Sequence, residues 1–259
     1  MNSPRVVLIT GTSSGIGYAT SLAFLKRGDH VIGTARDLAS LDGLVAEANA
    51  LPTPHGEFVP LAADVRDPVA MQAAVEQAVA RFGRLDVLVA NAGVGHRGGV
   101  TEAKWEDVEL LMQTNIYGVL HSIRAAVPAM KISGGGQIVL LLSVTYNMTV
   151  PYAAYYAASK AFVTSIGRAL RLELEADKIG VIEMIVGRTD TSFNQNRLGG
   201  ARTGDGIPRM KPEQVAEGIV KAINGRRRWV ALRFFDRLTI FANIFFPEYI
   251  GRVALRQYK

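Results

Sequence analysis

A tyrosine and a lysine four positions apart, Tyr156 and Lys160, share one face if the segment around them is helical, and Ser143 lies thirteen residues upstream. A phenol, an ammonium and a hydroxyl together suit proton transfer to or from an oxygen. A free phenol titrates near ~10 and is a poor base at neutral pH, but a nearby cation stabilises the phenolate and lowers that value. Chance supplies a Tyr–Lys pair at this spacing in about one sequence in four of this composition. Its weight therefore depends on where the fold puts it.

A second group carries binding chemistry. Thr10-Gly11-Thr12-Ser13-Ser14-Gly15-Ile16-Gly17 follows an apolar run and opens a segment of helical period. Gly11 permits a tight turn, Gly15 lets backbone approach a pyrophosphate, and Gly17 lets the helix close on the strand. Backbone N–H groups and the helix dipole then meet the phosphates. Gly11, Ser13, Ser14, Gly15, Ile16 and Gly17 are thus dinucleotide-binding candidates. A fold that prefers a free ribose 2′-hydroxyl carries an acid about 20 residues further on. Residues 31–36 hold none and end in Arg36, 19 positions after Gly17. A guanidinium suits a 2′-phosphate through charge-assisted, bidentate bonds, so NADP(H) is expected as cofactor and NAD(H) is less favoured.

Short apolar runs alternating with helical segments must position these residues. Strands are expected at 6–10, 30–35, 58–62, 85–90, 137–142, 181–186 and 229–232. Helices are expected from Gly15 to near Gly28, from the Asp67-Pro68 cap to Gly83, as one long element over 101–130, and over 152–176. The pattern is α/β: a single Rossmann-like, doubly wound domain with a mainly parallel seven-stranded sheet. It occupies residues 1–228, and 229–259 form a basic, amphipathic extension of the same domain. Ser143 then ends the fifth strand on its carboxyl side, where open α/β sheets bind ligands, and the next helix returns Tyr156 past that crevice. The glycine-rich stretch 188–210 reads as a mobile loop.

At this point the sequence resembles the short-chain dehydrogenase/reductase family. The resemblance rests on the glycine turn, Asp64-Val65, Asn91-Ala92-Gly93, Asn115, Ser143, Tyr156-x3-Lys160 and Gly187-x3-Thr191, in order over residues 5–225. It implies hydride exchange between a nicotinamide dinucleotide and a carbonyl compound or secondary alcohol. Tyr156 would be the general acid in reduction and base in oxidation, and Ser143 would bind the substrate oxygen. Lys160 would bind the nicotinamide ribose and depress the Tyr156 pKa, while Asn115 would anchor a water linking Lys160 to solvent. Asp64 and Val65 would flank the adenine, and Asn91, Ala92 and Gly93 would line the adenosine side. Gly187, Thr189 and Thr191 would form the turn under the nicotinamide, with Thr191 on its carboxamide. The chain departs from the family at Ala90-Asn91, where a second Asn is common, and at Val186-Gly187, where Pro is common.

With 49% hydrophobic residues, 20% charged residues and no Cys, the chain has material for a sizeable core but none for disulfides, thiolate catalysis or Cys-ligated metal. No metal site is expected. Residues 1–9 hold no signal-peptide hydrophobic region, so the expected location is cytoplasmic. A small-molecule carbonyl or alcohol partner is expected, a lipophilic one given Tyr146, Asn147, Met148, Tyr152 and Phe193 near the site. A homo-dimer or homo-tetramer is expected. His96 and Arg97 read as solvated loop residues or as contacts to substrate or cofactor.

The formal charge of +6 resides in residues 221–259, which hold nine Lys or Arg against Asp236 and Glu248. Phe234, Phe235, Leu238, Phe241, Ala242 and Phe245 form a helical stripe there. Packing in the core or against another subunit is the favoured expectation; a pocket cover or peripheral membrane contact through 229–259 is the alternative. Nucleic acid is not an expected partner, because no recognised module is visible. Two other functions stay open: a non-catalytic NADP(H)-binding protein, and a membrane-surface lipid-ketone reductase on the same scaffold.

Overall fold

The structure, a computed structural model, describes residues 3–200 and 209–256. In chain order its elements begin β1 (Val6–Thr10), α1 (Gly15–Leu25), β2 (His30–Ala35), α2 (Asp42–Asn49), β3 (Phe58–Ala62), α3 (Pro68–Phe82) and β4 (Val87–Ala90). They continue with β5 (His96–Arg97), α4 (Trp105–Met112), α5 (Gly118–Ile132), β6 (Gly136–Ser143), α6 (Ala154–Glu173) and β7 (Ile179–Val186). The last are β8 (Leu198–Gly199), α7 (Pro212–Asn224), β9 (Trp229–Ala231), α8 (Phe234–Phe245) and α9 (Pro247–Arg256). Seven strands form one parallel sheet in the order β3-β2-β1-β4-β6-β7-β9.

The alternating sides of each strand explain the two layers around the sheet. Val6 and Leu8 of β1 join one core with Met71 and Val75 of α3 and Ile123 of α5. Val7 and Ile9 join the other, with Leu22 and Phe24 of α1 and Val215 and Ile219 of α7. Successive side chains of a strand point to opposite faces, so a sheet covered on both needs near-continuous apolar runs. The direction of strand succession reverses beside β1, which pairs with β2 on one edge and β4 on the other. That opens the crevice at the carboxyl ends where the glycine turn sits.

The cap signals at α3 are realised: the Asp67 side chain accepts from Val69 N at 2.8 Å, Pro68 opens the helix, and Gly83 stops it at φ 75°. The expected single helix over 101–130 is corrected. Residues 101–103 are non-helical, α4 begins after Lys104, and a π turn over residues 113–117 separates α4 from α5. Pro128 lies inside α5, which continues to Ile132. α7 was absent from the expected elements, although Pro212 at its first turn and Val215, Ile219 and Ile223 at helical spacing signal it.

The tail departs furthest. Of the two packings expected for the stripe, the one in the core of this chain is corrected, since it points outward: Phe234 is 79% exposed and Phe241 61%, whereas Asp236 and Asn243 are buried. Among the described residues no helix is long and apolar enough to cross a membrane.

Candidate active site

The turn between β1 and α1 depends on glycine conformations and is clamped by two side chains. Gly11 and Gly15 adopt φ of 70° and 59°, a region that costs other residues sterically. A Cβ on Gly17 would strike the carbonyl of Gly11, and one on Gly15 would sit 2.9 Å from Thr191 Cγ2. Thr10 Oγ1 accepts from the backbone N–H groups of Asn91 and Ala92 at 3.1 and 3.0 Å. Asn91 Nδ2 donates to the carbonyls of Thr10 and Gly11 at 2.8 and 2.9 Å. The Asn91 side chain is thus a clamp on the turn, and what Asn91 has left for a ligand is backbone. Ser13 and Ser14 are exposed at the start of α1, whose first N–H groups have no partner inside the helix. This cradle fits the phosphates of a dinucleotide.

Arg36, exposed just past β2, makes no ion pair among the described residues. Asp64 across from it is bound by Arg66, whose Nη2 lies 2.6 Å from Asp64 Oδ2. The Arg66 hydrogen bond, with smaller help from the charges of Arg66 and Arg36, holds the Asp64 carboxyl below its usual range. Two guanidinium groups therefore act on the Asp64 carboxylate. Val65 is buried against Gly118, with its carbonyl 3.0 Å from His121 Nδ1, so its side chain serves packing.

The proton-transfer residues converge from three elements. Ser143 ends β6, Tyr156 and Lys160 sit on successive turns of α6, and Asn115 lies in the π turn. Asn115 is fully buried, accepting from Val94 N at 2.8 Å and donating to Val94 O at 2.9 Å and Ser159 Oγ at 3.2 Å. Ser159, not anticipated from sequence, donates to the Tyr156 carbonyl at 2.7 Å and so ties α6 to the π turn. A Cβ on Gly93 would lie 3.1 Å from Asn115 Oδ1 and 3.7 Å from Lys160 Nζ, which places Gly93 beside both.

Burial pushes the Tyr156 pKa up, while a hydrogen bond with Ser143 and the charge of Arg197 pull it down. Lys160 lies 5.9 Å from the Tyr156 ring centroid and donates to Leu141 O at 2.9 Å. Besides the expected Lys160, whose ammonium stands over the ring, the charge of Arg197, not anticipated from sequence, acts on the phenol.

Lys160 itself is brought down from 10.5 to about 8 by burial. Between those values the unfolded chain holds more protons than the folded one, so this residue's contribution to stability rises with pH across the window. Lys160→Met removes that contribution. In denaturant titrations the stability of wild type relative to Lys160→Met is expected to rise by up to about 3 kcal/mol from pH 7 to pH 10.5. A constant difference would contradict the buried ammonium.

The described part of the loop after β7 is an ordered strap. Thr189 bridges to Met210, and a short helical turn over Ser192–Asn194 leads to β8, which pairs with β5. Residues 201–208 of the expected mobile loop lie outside the described residues. Ser14 Oγ and Ser192 Oγ are 3.2 Å apart, and the Phe193 ring lies 6.0 Å from that of Tyr156. The strap therefore touches both the phosphate cradle and the phenol. His96 and Arg97 are buried beneath it, contrary to the solvated reading, and burial lowers the His96 pKa. Gly187 leaves no room for a Cβ because the Arg233–Asp236 ion pair lies against it; Thr189 Oγ1 donates to its carbonyl at 3.2 Å.

Tyr146 and Met148 line a groove with Ala154, Ala158 and Ala161 of α6.

The sequence pattern of the family described as short chain dehydrogenase matches residues 5–200. The chain is 34% identical over 194 residues to a 3-ketodihydrosphingosine reductase of Bacteroides thetaiotaomicron, covering 75% of this chain and 67% of that one. It is 35% identical over 222 residues to a 3-oxoacyl-[acyl-carrier-protein] reductase of Thermotoga maritima, covering 83% and 89%. A solved 3-ketoacyl-(acyl-carrier-protein) reductase from Brucella melitensis complexed with NADH superposes with a TM-score of 0.76 at 30% identity, covering 85% of this chain and 90% of that one. A doubly wound sheet, a glycine turn at its switch point and this matching pattern agree: the chain belongs to the short-chain dehydrogenase family of oxidoreductases.

Proposed function

We propose that this protein is an NADP(H)-dependent reductase of a lipophilic carbonyl compound, able to run as the dehydrogenase of the matching secondary alcohol, with Tyr156 as general acid and base. The observation that carries the reading is the convergence of Ser143, Tyr156 and Lys160 at the carboxyl end of β6, beside the phosphate cradle. The bound dinucleotide supplies or accepts a hydride.

The chain's own groups manage the proton. Burial keeps the Tyr156 phenol protonated at neutral pH, which suits an acid that must deliver its proton to a developing alkoxide. Ser143 lies where it can donate to that same oxygen; its Oγ already accepts from Thr145 N and Oγ1 at 3.2 and 3.0 Å, leaving its proton to give. After transfer, Ser143 and the Arg197 charge stabilise the phenolate. Lys160 would hold the ribose of the dinucleotide and would return the proton to Tyr156, and Asn115 fixes the backbone at Val94 beside it. The turn of Gly187, Thr189 and Thr191 would hold the nicotinamide end of the cofactor, and Phe193 beside Tyr156 helps exclude water.

Arg36 and Arg66 around Asp64 support the phosphorylated cofactor. The 3-keto lipid and acyl names of the two relatives support a lipophilic keto substrate. The exposed Trp105, Tyr117, Phe162 and Leu172 along α4 to α6 support assembly as a homo-dimer or homo-tetramer.

A panel of ketones and alcohols of graded chain length, followed by the absorbance of reduced nicotinamide, tests the reading. Turnover with NADPH that improves with apolar chain length is expected. Tight NADPH binding with no turnover across the panel would instead indicate a non-catalytic NADP(H)-binding protein.

A further inference from the structure

α8 is mounted the wrong way round for a helix that packs by hydrophobic burial. Its polar side faces the protein and is tied there by directional bonds. Asn243 Nδ2 donates to the Asn147 carbonyl, and Asn243 Oδ1 accepts from Thr149 N at 3.2 Å. Arg233 Nη2 donates to Asp236 Oδ1 at 2.7 Å, with Asp236 buried, and Arg237 Nε donates to Ala231 O at 2.9 Å. Rolling the helix to hide its apolar side would strip Asn243 of both partners on the loop after β6 and lift Ile240 out of the core. The outward face is therefore fixed: Phe234, Phe235, Leu238, Phe241 and Phe245 are all more than half exposed. Trp229 and Ile244 extend it along a shallow groove. A contiguous apolar surface of this kind marks an interaction site.

The charge around it selects the occupant. Arg226, Arg227 and Arg228 precede the helix, Arg237 lies on it, and Arg252 and Arg256 follow on α9, all exposed. Of the two acids in residues 221–259, Asp236 is buried against Arg233 and Glu248 lies 3.8 Å from Arg252. A second copy seated on this face would bring two basic rims together. A bilayer rich in anionic lipid offers hydrocarbon to the phenylalanines and negative charge to the arginines at once. At 12 and 10 residues, α8 and α9 are too short to span a bilayer and suit lying in its interface.

We propose that α8 and α9 form a docking surface for anionic membranes. Docking does not depend on the reaction. It does bear on it, because α8 is bonded to the loop that follows Ser143, and the Arg233–Asp236 pair lies against Gly187.

Co-sedimentation of the full chain with vesicles tests this. The wild type is expected to bind phosphatidylcholine vesicles containing about 30% phosphatidylserine at least ~10-fold more tightly than phosphatidylcholine alone, and to weaken as salt rises. The exposed double variant Phe241→Glu/Phe245→Glu should lose that binding, and Arg252→Glu/Arg256→Glu should weaken it, with NADPH affinity unchanged in both as the check on folding. Equal binding by wild type and the phenylalanine variant, or no preference for phosphatidylserine, would overturn the proposal. So would a concentration-dependent dimer that the phenylalanine variant dissolves and vesicles do not displace.

Discussion

Tyr156→Phe is expected to lower kcat by about 10³-fold, in the range a positioned general acid contributes, while leaving NADPH affinity within about twofold. The substitution removes one oxygen and no packing. Ser143 keeps its bonds from Thr145, and Ser159 still bonds the carbonyl of residue 156, so the local fold has no reason to move. The neighbouring tyrosine is the control. Tyr155 donates its hydroxyl to Val100 O at 2.9 Å and meets His96 edge-on, outside the convergence of Ser143 and Lys160. Tyr155→Phe should therefore keep kcat within about twofold. If the two variants lose activity equally, or Tyr156→Phe retains it, the proton-transfer assignment fails.

Arg36→Asp is expected to reverse cofactor preference. Arg36 is exposed and without an ion pair among the described residues, so its replacement disturbs little of the fold. Hydrogen bonds to a charged group contribute roughly 1.5–3 kcal/mol, so losing a bidentate contact to the 2′-phosphate should raise the KM for NADPH about 10- to 100-fold. An aspartate there can bond a free 2′-hydroxyl and repels a phosphate, so the KM for NADH should fall, and the preference ratio should change by about 10²- to 10³-fold. Arg66→Ala should shift the ratio less, because Arg66 is engaged with Asp64 at 2.6 Å. Kinetic constants for both cofactors decide it. An unchanged ratio would mean that Arg36 is a solvated surface residue.

What the sequence made legible follows rules that act over a few residues. The glycine turn reads directly because the φ of Gly11 favours glycine and the contact beside Gly17 excludes a Cβ. Tyr156 and Lys160 read because a helix puts residues four apart on one face. The inner sheet strands read because a strand buried on both sides needs an unbroken apolar run.

What stayed hidden depends on tertiary partners. The π turn at Asn115 leaves no periodic mark in five residues. The position of Arg197 near the phenol requires β8 to pair with β5, two residues against two, far below what periodicity can detect. Core packing of the tail is the expectation that failed, because an apolar stripe ordinarily points inward and here the bonds of Asn243 to the loop after β6 decide otherwise. Buried polar groups left without partners are costly enough to outweigh a helix's apolar preference.

The central claim is that hydride passes within this crevice under proton control by Tyr156. Single-turnover reaction of the wild type with NADPH carrying deuterium at the nicotinamide C4, with mass analysis of the alcohol product from an accepted ketone, tests it most directly. The account predicts one deuterium on the carbinol carbon, transferred from one face of the ring only, and about 10³-fold slower transfer in Tyr156→Phe. Product without deuterium, or equal rates in the two proteins, would contradict it.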